Sequence, residues 1–229
     1  MNSKNYLITG AAKGIGREIT LQLCKEGHCV WALSRDVDAL AALVEKGARP
    51  ITWDLGQWVN QPSAYTWPDD FPDTLDGLVN NAGILINAPV SELTAGDAEL
   101  MWKINVQAPT LLVKHLLSRF APGSHIVNIG SMGGFQGSAK FPGLSMYSAT
   151  KAALASLSEC WAAELAEHQI SVNCLALGAV NTEMLQKAFP GYTAPVQPSE
   201  MGRYIAEFLQ TGHRVFNGKI LPVALTNPD

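Results

Sequence analysis

The sequence predicts a parallel α/β fold, and three observations carry the prediction. Short apolar runs alternate with longer segments of helical periodicity along the whole 229-residue chain. A glycine-rich turn, Thr9-Gly10-Ala11-Ala12-Lys13-Gly14-Ile15-Gly16, joins the first run to the first helical segment. Apolar residues make up 47% of the chain and charged residues 16%, which supplies a core and excludes intrinsic disorder. With no repeat, low-complexity segment or linker, one domain over 1–229 is expected.

Taken in order, Tyr6-Leu7-Ile8 reads as a strand, and the segment from Gly14 to Gly27 carries Ile15, Ile19 and Leu23 at helical spacing. Cys29 to Leu33 is a second strand. The following helix, Asp36 to Glu45, is expected to bury Val37, Leu40, Ala41 and Val44. Ile51 to Trp53 is a third short strand. From Gly56 to Asp73, Pro62, Pro68 and Pro72 exclude a long helix, so a loop with at most a short helix is expected. Leu78 to Asn80 is a strand, Ala98 to Arg119 one long helix or two abutting, and His125 to Ile129 a strand. Tyr147 to Glu167 lacks Pro and Gly and predicts a long buried helix. Ile170 to Leu175 is a sixth strand. Pro190, Gly191, Pro195 and Pro198 then break up a loop before a helix from Ser199 to Gln210, and Lys219 to Val223 is a seventh strand.

The charge balance excludes several function classes. Sixteen Lys plus Arg against twenty Asp plus Glu give a net charge of -4, which offers a nucleic-acid backbone no electrostatic attraction. The longest apolar stretch, around Leu175 to Val180, falls well short of the roughly 20 residues of a membrane span. The first residues lack the apolar core of a signal peptide, so a soluble, cytoplasmic protein is expected. Cys24, Cys29, Cys160 and Cys174 form no C-x-x-C pair and read as reduced core residues. Five scattered histidines lack ligand spacing, and no metal site is expected.

The glycine-rich turn brings backbone N–H groups and a helix N-terminus together where a pyrophosphate can approach. Its spacing, T-G-x-x-x-G-I-G, resembles that of the short-chain dehydrogenase/reductase family. Further motifs follow in that family's order: Asn80-Asn81-Ala82-Gly83, Asn105, Ser131, Tyr147-Ser-Ala-Thr-Lys151 and Val180-Asn181-Thr182. The resemblance runs from Thr9 to about Val223. It implies a Rossmann-type doubly wound domain whose seven-stranded parallel sheet has the order 3-2-1-4-5-6-7, with helices on both faces. It also implies catalytic roles for Asn105, Ser131, Tyr147 and Lys151. Cofactor contacts are implied for Gly10, Lys13, Gly14, Ile15, Gly16, Ser34, Arg35, Asp54, Asn81, Ala82, Gly83, Gly178, Val180 and Thr182, as well as for Tyr147 and Lys151.

The residues support these roles on their own chemistry. Tyr147 and Lys151 are four apart on one helix and share a face. A phenol with a reference pKa of about 10 needs a nearby cation to serve as acid and base near neutrality, and Lys151 supplies one. By the resemblance, Tyr147 protonates a carbonyl oxygen as hydride arrives and Ser131 hydrogen-bonds the same oxygen. Lys151 also binds the nicotinamide ribose, and Asn105 positions a water linking Lys151 to solvent. Read singly, Ser131 is equally a cap or turn residue, and Asn105 equally a backbone pin.

NAD-using relatives tend to carry Asp at the end of the second strand, where this chain has Ser34 followed by Arg35. With Lys13 before Gly14, this implies NADP(H). Asp36 is expected to cap the next helix. Three departures from the family stand out: 16 residues between Ser131 and Tyr147 where about 13 are common, Gly130 in place of a Ser, and Leu177 in place of a Pro. The first implies an insertion within Gly133 to Leu144 near the substrate mouth, and the last a less rigid turn on the cofactor side. Met132, Phe135, Phe141, Met146, Met184, Leu185, Phe189 and Tyr192 suggest an apolar or aromatic carbonyl or alcohol substrate. The segment 183–198 is expected to act as a substrate loop that closes as a lid. A homo-oligomer, dimer or tetramer, is expected, although the end at Val223-Ala-Leu lacks the family's usual V-D-G-G. The alternative function is a non-catalytic NADP-binding regulatory or scaffold protein. A nucleotide-sugar epimerase or dehydratase would share Tyr-x-x-x-Lys but usually has a longer chain.

Overall fold

The first strand, β1 (Asn5–Thr9), runs through the glycine-rich turn into α1 (Gly14–Lys25), and β2 (Cys29–Ser34), α2 (Val37–Val44) and β3 (Arg49–Thr52) repeat the unit. A short α3 (Leu55–Trp58) precedes β4 (Leu75–Asn80). Then come α4 (Ala95–Trp102), α5 (Ala108–Leu116), β5 (Phe120–Ser131), α6 (Ser145–Glu164), β6 (Ser171–Leu177), α7 (Glu183–Ala188), α8 (Pro198–Thr211) and β7 (Ile220–Val223). This computed structural model describes residues 3–225, and the ends of the expected domain, 1–2 and 226–229, lie outside them. The strands pair in parallel in the order β3-β2-β1-β4-β5-β6-β7, as the resemblance implied.

Strand periodicity explains the layers. In β1, Leu7 points to one face and Tyr6 and Ile8 to the other, and all three are buried. The Leu7 face packs with Leu112 and Leu116 of α5 and with Leu154 and Trp161 of α6. The Tyr6 and Ile8 face packs with Ile19 and Leu23 of α1 and with Ile205 and Leu209 of α8. Because helices cover both faces, the strands are apolar almost throughout instead of alternating. The strand order reverses between β1 and β4, so the chain leaves their carboxyl ends toward opposite faces of the sheet and a crevice opens there.

The structure corrects several element expectations. In α2, Leu40 is buried as expected, but with Leu43 beside it, while Ala41 is exposed, as are Val37 at 60% and Val44 at 46%. Both sets satisfy helical spacing, and docking against Val30 and Ala48 selects the second. The segment expected from Ala98 starts at Ala95, where Thr94 and Asp97 form a capping box. It then passes through a π-helical turn, Lys103–Gln107, into α5. The 56–73 stretch holds only α3 and a 3₁₀ turn at Pro62–Ala64, and its Trp67 stacks on Phe71 and lies tilted against Trp53 of the preceding segment.

A polar ladder runs through the core. Asn80 donates to Asn128 at 2.8 Å, Asn128 to Ser158 at 2.8 Å, and Ser158 to the Leu154 carbonyl at 2.7 Å, which pins α6 onto β4 and β5. On the opposite face His125 has no exposed surface. Its Nδ1 meets the Leu209 carbonyl at 3.0 Å and its Nε2 the Asn173 amide at 2.9 Å, so Nδ1 carries the proton and Nε2 accepts. Burial pushes its pKa down from 6.5 to about 4. Above pH 6.5 neither folded nor unfolded chain binds this proton, and stability is full. Between 6.5 and about 4 the unfolded chain binds it and the folded chain does not, so stability falls with pH, on the order of 3 kcal/mol in all. Urea midpoints should therefore drop from pH 7 to pH 4.5, and His125→Gln, less stable overall, should lose much of that slope. An unchanged slope in the variant would remove His125 as its cause.

Candidate active site

The crevice at the carboxyl ends of β1 and β4 opens into a cleft of about 920 Å3. One end is made by the glycine-rich turn. Gly10 lies at φ +64, and a Cβ there would stand 2.9 Å from Ala82 Cα. Gly14, at φ +52, faces the Thr182 methyl, 3.3 Å from where its Cβ would be. Thr9 ties the turn to the exit of β4: its hydroxyl accepts the backbone N–H groups of Asn81 and Ala82, each at 3.0 Å, and donates to the Val79 carbonyl at 3.3 Å. Asn81 returns its amide to the Thr9 and Gly10 carbonyls at 2.9 and 3.2 Å.

The N-terminus of α1 faces the same end. Lys13 occupies the cap position and its side chain caps no N–H of the helix, and the first turn holds no carboxylate, so the helix presents free N–H groups and the positive end of its dipole. An anion such as a pyrophosphate fits this cradle, and a side chain at Gly10 would strike the Ala82 backbone, one at Gly14 the Thr182 side chain. At the rim, Lys13 pairs with Asp36 at 3.2 Å and Arg35 with Asp54 at 3.6 Å, all four on or near the surface. Asp36 also caps α2 through the Ala39 N–H at 3.1 Å, as expected, and this bond together with Lys13 lowers its pKa.

At the other end β5 delivers Ser131 and α6 delivers Tyr147 and Lys151. The Tyr147 ring is partly exposed to the cleft while its hydroxyl lies deep; burial raises the phenol pKa and the neighbouring Ser131 side chain draws it back. Lys151 is 4% exposed, donates to the Ile129 carbonyl at 2.8 Å, and sits 5.8 Å from the centre of the Tyr147 ring. Burial lowers its pKa from 10.5 to about 8, so it still carries its charge near neutrality. The ammonium thus lies over the face of the phenol ring.

Of the expected residues, Gly10, Lys13, Gly14, Ile15, Ser34 and Arg35 line the turn end of the cleft. Asn81, Ala82, Gly83, Gly178, Val180 and Thr182 line its middle, and Ser131, Tyr147 and Lys151 the far end. Three do not line it. Gly16 lies beneath the turn, where a Cβ would overlap the Gly10 carbonyl and the Asn81 amide. Asp54 caps α3 through the Gly56 and Gln57 N–H groups at 2.8 and 3.1 Å. Asn105, in the π turn, accepts from the Ile84 N–H at 2.8 Å and donates to the Ile84 carbonyl and the Thr150 hydroxyl at 2.9 and 3.0 Å. Both its donors are therefore used within the protein, and only one acceptor lone pair is left for a water. Among the expected apolar lining residues, Phe135 and Met146 lie off the cleft, whereas Leu85 and Leu144, which sequence reading missed, are on it. The loop before α6 starts with a 3₁₀ turn, Met132–Gly134, packed on α6 so closely that a Cβ at Gly134 would stand 2.6 Å from the Ala152 nitrogen. The expected loop at 183–198 in fact begins with α7, capped by Thr182.

Residues 4–193 match the family model described as short chain dehydrogenase. The chain is 33% identical to D-erythrulose reductase of Gallus gallus over 187 residues, 79% of this chain and 73% of the relative. It is likewise 33% identical to carbonyl reductase [NADPH] 2 of Sus scrofa, over 78% of this chain and 72% of that one. Among solved structures, 3-ketoacyl-(acyl-carrier-protein) reductase from Brucella melitensis, complexed with NADH, superposes with a TM-score of 0.83 at 25% identity over 96% of both chains.

The packing beneath the turn makes Gly16 a stringent position. Gly16→Ala should lose about 1 to 3 kcal/mol of stability, because both neighbours it meets are held by the turn itself. Gly96→Ala, in the first turn of α4 with its nearest atom 3.8 Å away, should be neutral or slightly stabilising. Urea unfolding of the two variants checks this, and equal stabilities would contradict it.

Proposed function

The chain belongs to the short chain dehydrogenase family, and within it we propose that the protein is an NADP(H)-dependent oxidoreductase interconverting a ketone or aldehyde and the corresponding alcohol. One observation carries the reading: the Ser131 and Tyr147 hydroxyls and the Lys151 ammonium meet at one end of a cleft whose other end is an uncapped helix N-terminus flanked by Lys13 and Arg35. Gly10, Gly14, Ile15, Asn81, Ala82, Gly83, Gly178, Val180 and Thr182 would hold the dinucleotide between them. When bound, the nicotinamide cofactor donates hydride to the carbonyl carbon or takes it from the alcohol.

The chain's own groups handle the oxygen. In the reducing direction Ser131 donates a hydrogen bond to the carbonyl oxygen and orients it, and Tyr147 transfers its phenolic proton to that oxygen. The phenolate left behind is stabilised by Lys151. Burial keeps the phenol protonated until the carbonyl oxygen gains charge, and the ammonium beside it keeps the transfer from being prohibitive. Asn105 acts on this pair indirectly, through Thr150 and the remaining lone pair of its amide oxygen. Met132, Phe141, Leu144, Met184, Leu185 and Phe189 supply an apolar wall, which favours an apolar or aromatic carbonyl compound over a polyhydroxylated one. Exposed Leu100 and Trp102 on α4 support self-association as a homo-oligomer.

Cofactor choice follows from the rim. Ser34 offers no carboxylate to a ribose diol, and Lys13 and Arg35 are the cations in reach of a 2'-phosphate. Their present partners are surface carboxylates, whose ion pairs are worth about 0 to 1 kcal/mol each. A phosphate making charge-assisted bonds of about 1.5 to 3 kcal/mol displaces them readily. NADPH is therefore expected to exceed NADH in kcat/KM by on the order of a hundredfold, with most of the margin lost in Arg35→Ala. Equal efficiency with NADH in the wild type would refute the cofactor assignment.

The catalytic assignment is tested by Tyr147→Phe. It should bind cofactor almost as the wild type does and lose nearly all turnover across a panel of ketones, aldehydes, quinones and acyl thioesters followed by NADPH consumption. Turnover near the wild-type level in that variant would sink the mechanism.

A further inference from the structure

Three segments wall the substrate end of the cleft: the stretch after β4 with Ile84 and Leu85, the loop before α6 with Phe141 and Leu144, and α7. They meet at Asn87. Its Nδ2 donates to the carbonyl of Ala188, the last residue of α7, at 2.8 Å. Its Oδ1 occupies the space that a Cβ on Gly143 would take, and Gly143 sits at φ +82, where side chains are strained. The next residue, Ala88, donates its N–H to the Gly143 carbonyl at 3.0 Å. A left-handed glycine in the second wall therefore makes room for the side chain that reaches from the first wall to the third.

Little else holds α7. None of its residues is buried, and its other side-chain bonds return to its own base: Thr182 accepts from the Leu185 N–H, and Gln186 donates to Asn181 at 2.7 Å. Among the described residues, Asn87 supplies the one hydrogen bond from α7 to another wall. We infer that Asn87 is a positioning residue for the carbonyl substrate, a latch that holds α7 across the mouth so that Met184 and Leu185 close the apolar wall. The substrate part rests on the reductase reading; the latch is a property of α7 itself. The bond is exposed, so water competes for it and the closed form is favoured only a few-fold. A latch of that strength holds the wall yet lets substrate and product pass. Only an amide suits the place, since a carboxylate would set its oxygens against the Ala188 carbonyl.

Hydrogen exchange on the full chain tests the latch without any substrate. In Asn87→Ala the amides of 183–189 should exchange about three to ten times faster than in the wild type, and in Asn87→Asp at least as much faster, with 147–164 unchanged. Wild-type exchange of 183–189 in both variants overturns the inference. With 1-phenyl-1,2-propanedione as the carbonyl probe and saturating NADPH, KM should rise by a similar factor while kcat stays within about twofold and NADPH affinity is unaltered. A lowered kcat at unchanged KM also overturns it. If the wild type turns over no member of the carbonyl panel, the reductase reading fails and the exchange result alone decides the latch.

Discussion

The joint between Thr9 and Asn81 holds the structure's working geometry. A single buried hydroxyl accepts two backbone N–H groups from β4's exit and donates a third bond, while the Asn81 amide closes the circuit onto the glycine turn. Every hydrogen-bonding site of the threonine hydroxyl is thereby used. The joint lies just past the last backbone pairing of β1 with β4, Ile8 with Val79, where the ladder no longer holds the two strand exits together. Without it the turn and the Asn81-Ala82-Gly83 segment would be two independent loops, and Gly10 and Gly16 would lose the surfaces they fit against.

The far end of the cleft is fixed by a different means. α6 is pinned by the chain of Asn80, Asn128 and Ser158, and apolar packing of Leu154 and Trp161 does the rest. A buried polar chain of this kind stabilises only if each member is satisfied, and then it favours one seating of the helix over neighbouring ones. The same seating buries Lys151, whose lowered pKa is the electrostatic cost of placing an ammonium beneath the Tyr147 ring. The Ile129 carbonyl offsets part of it.

Much of this was legible in the residues. The glycine turn, the strand and helix alternation and the four-residue separation of Tyr147 and Lys151 are local patterns, and each maps to geometry by a fixed rule. What escaped depends on partners distant in sequence. Val37 and Val44 match helical spacing as well as Leu43 does, and only the docked sheet tells them apart. The carboxylate of Asp54 reads as free until α3 is seen to use it. Asn87 carries no motif, because its significance comes from Gly143 and Ala188, which lie in two other loops. The start of α4 is the exception: its capping box, Thr94 with Asp97, was readable and marked the true beginning.

The π turn at Lys103–Gln107 does more than present Asn105. One extra residue in a helical turn advances the side-chain phase by about 100°. Two helices can thus follow one another without a loop and still face different neighbours. α4 buries Met101 alone, whereas α5 buries Ala108, Pro109, Leu112, Val113 and Leu116. The segment behaves as a gear with one tooth added: the same rod serves the surface before the turn and the core after it. Pro109 then falls in the first turn of α5, directly after the widened turn, where a proline is tolerated in a helix. Frame length, and not sequence composition, is what a deletion within 103–107 would alter, and it would re-aim every apolar side chain downstream as far as Leu116.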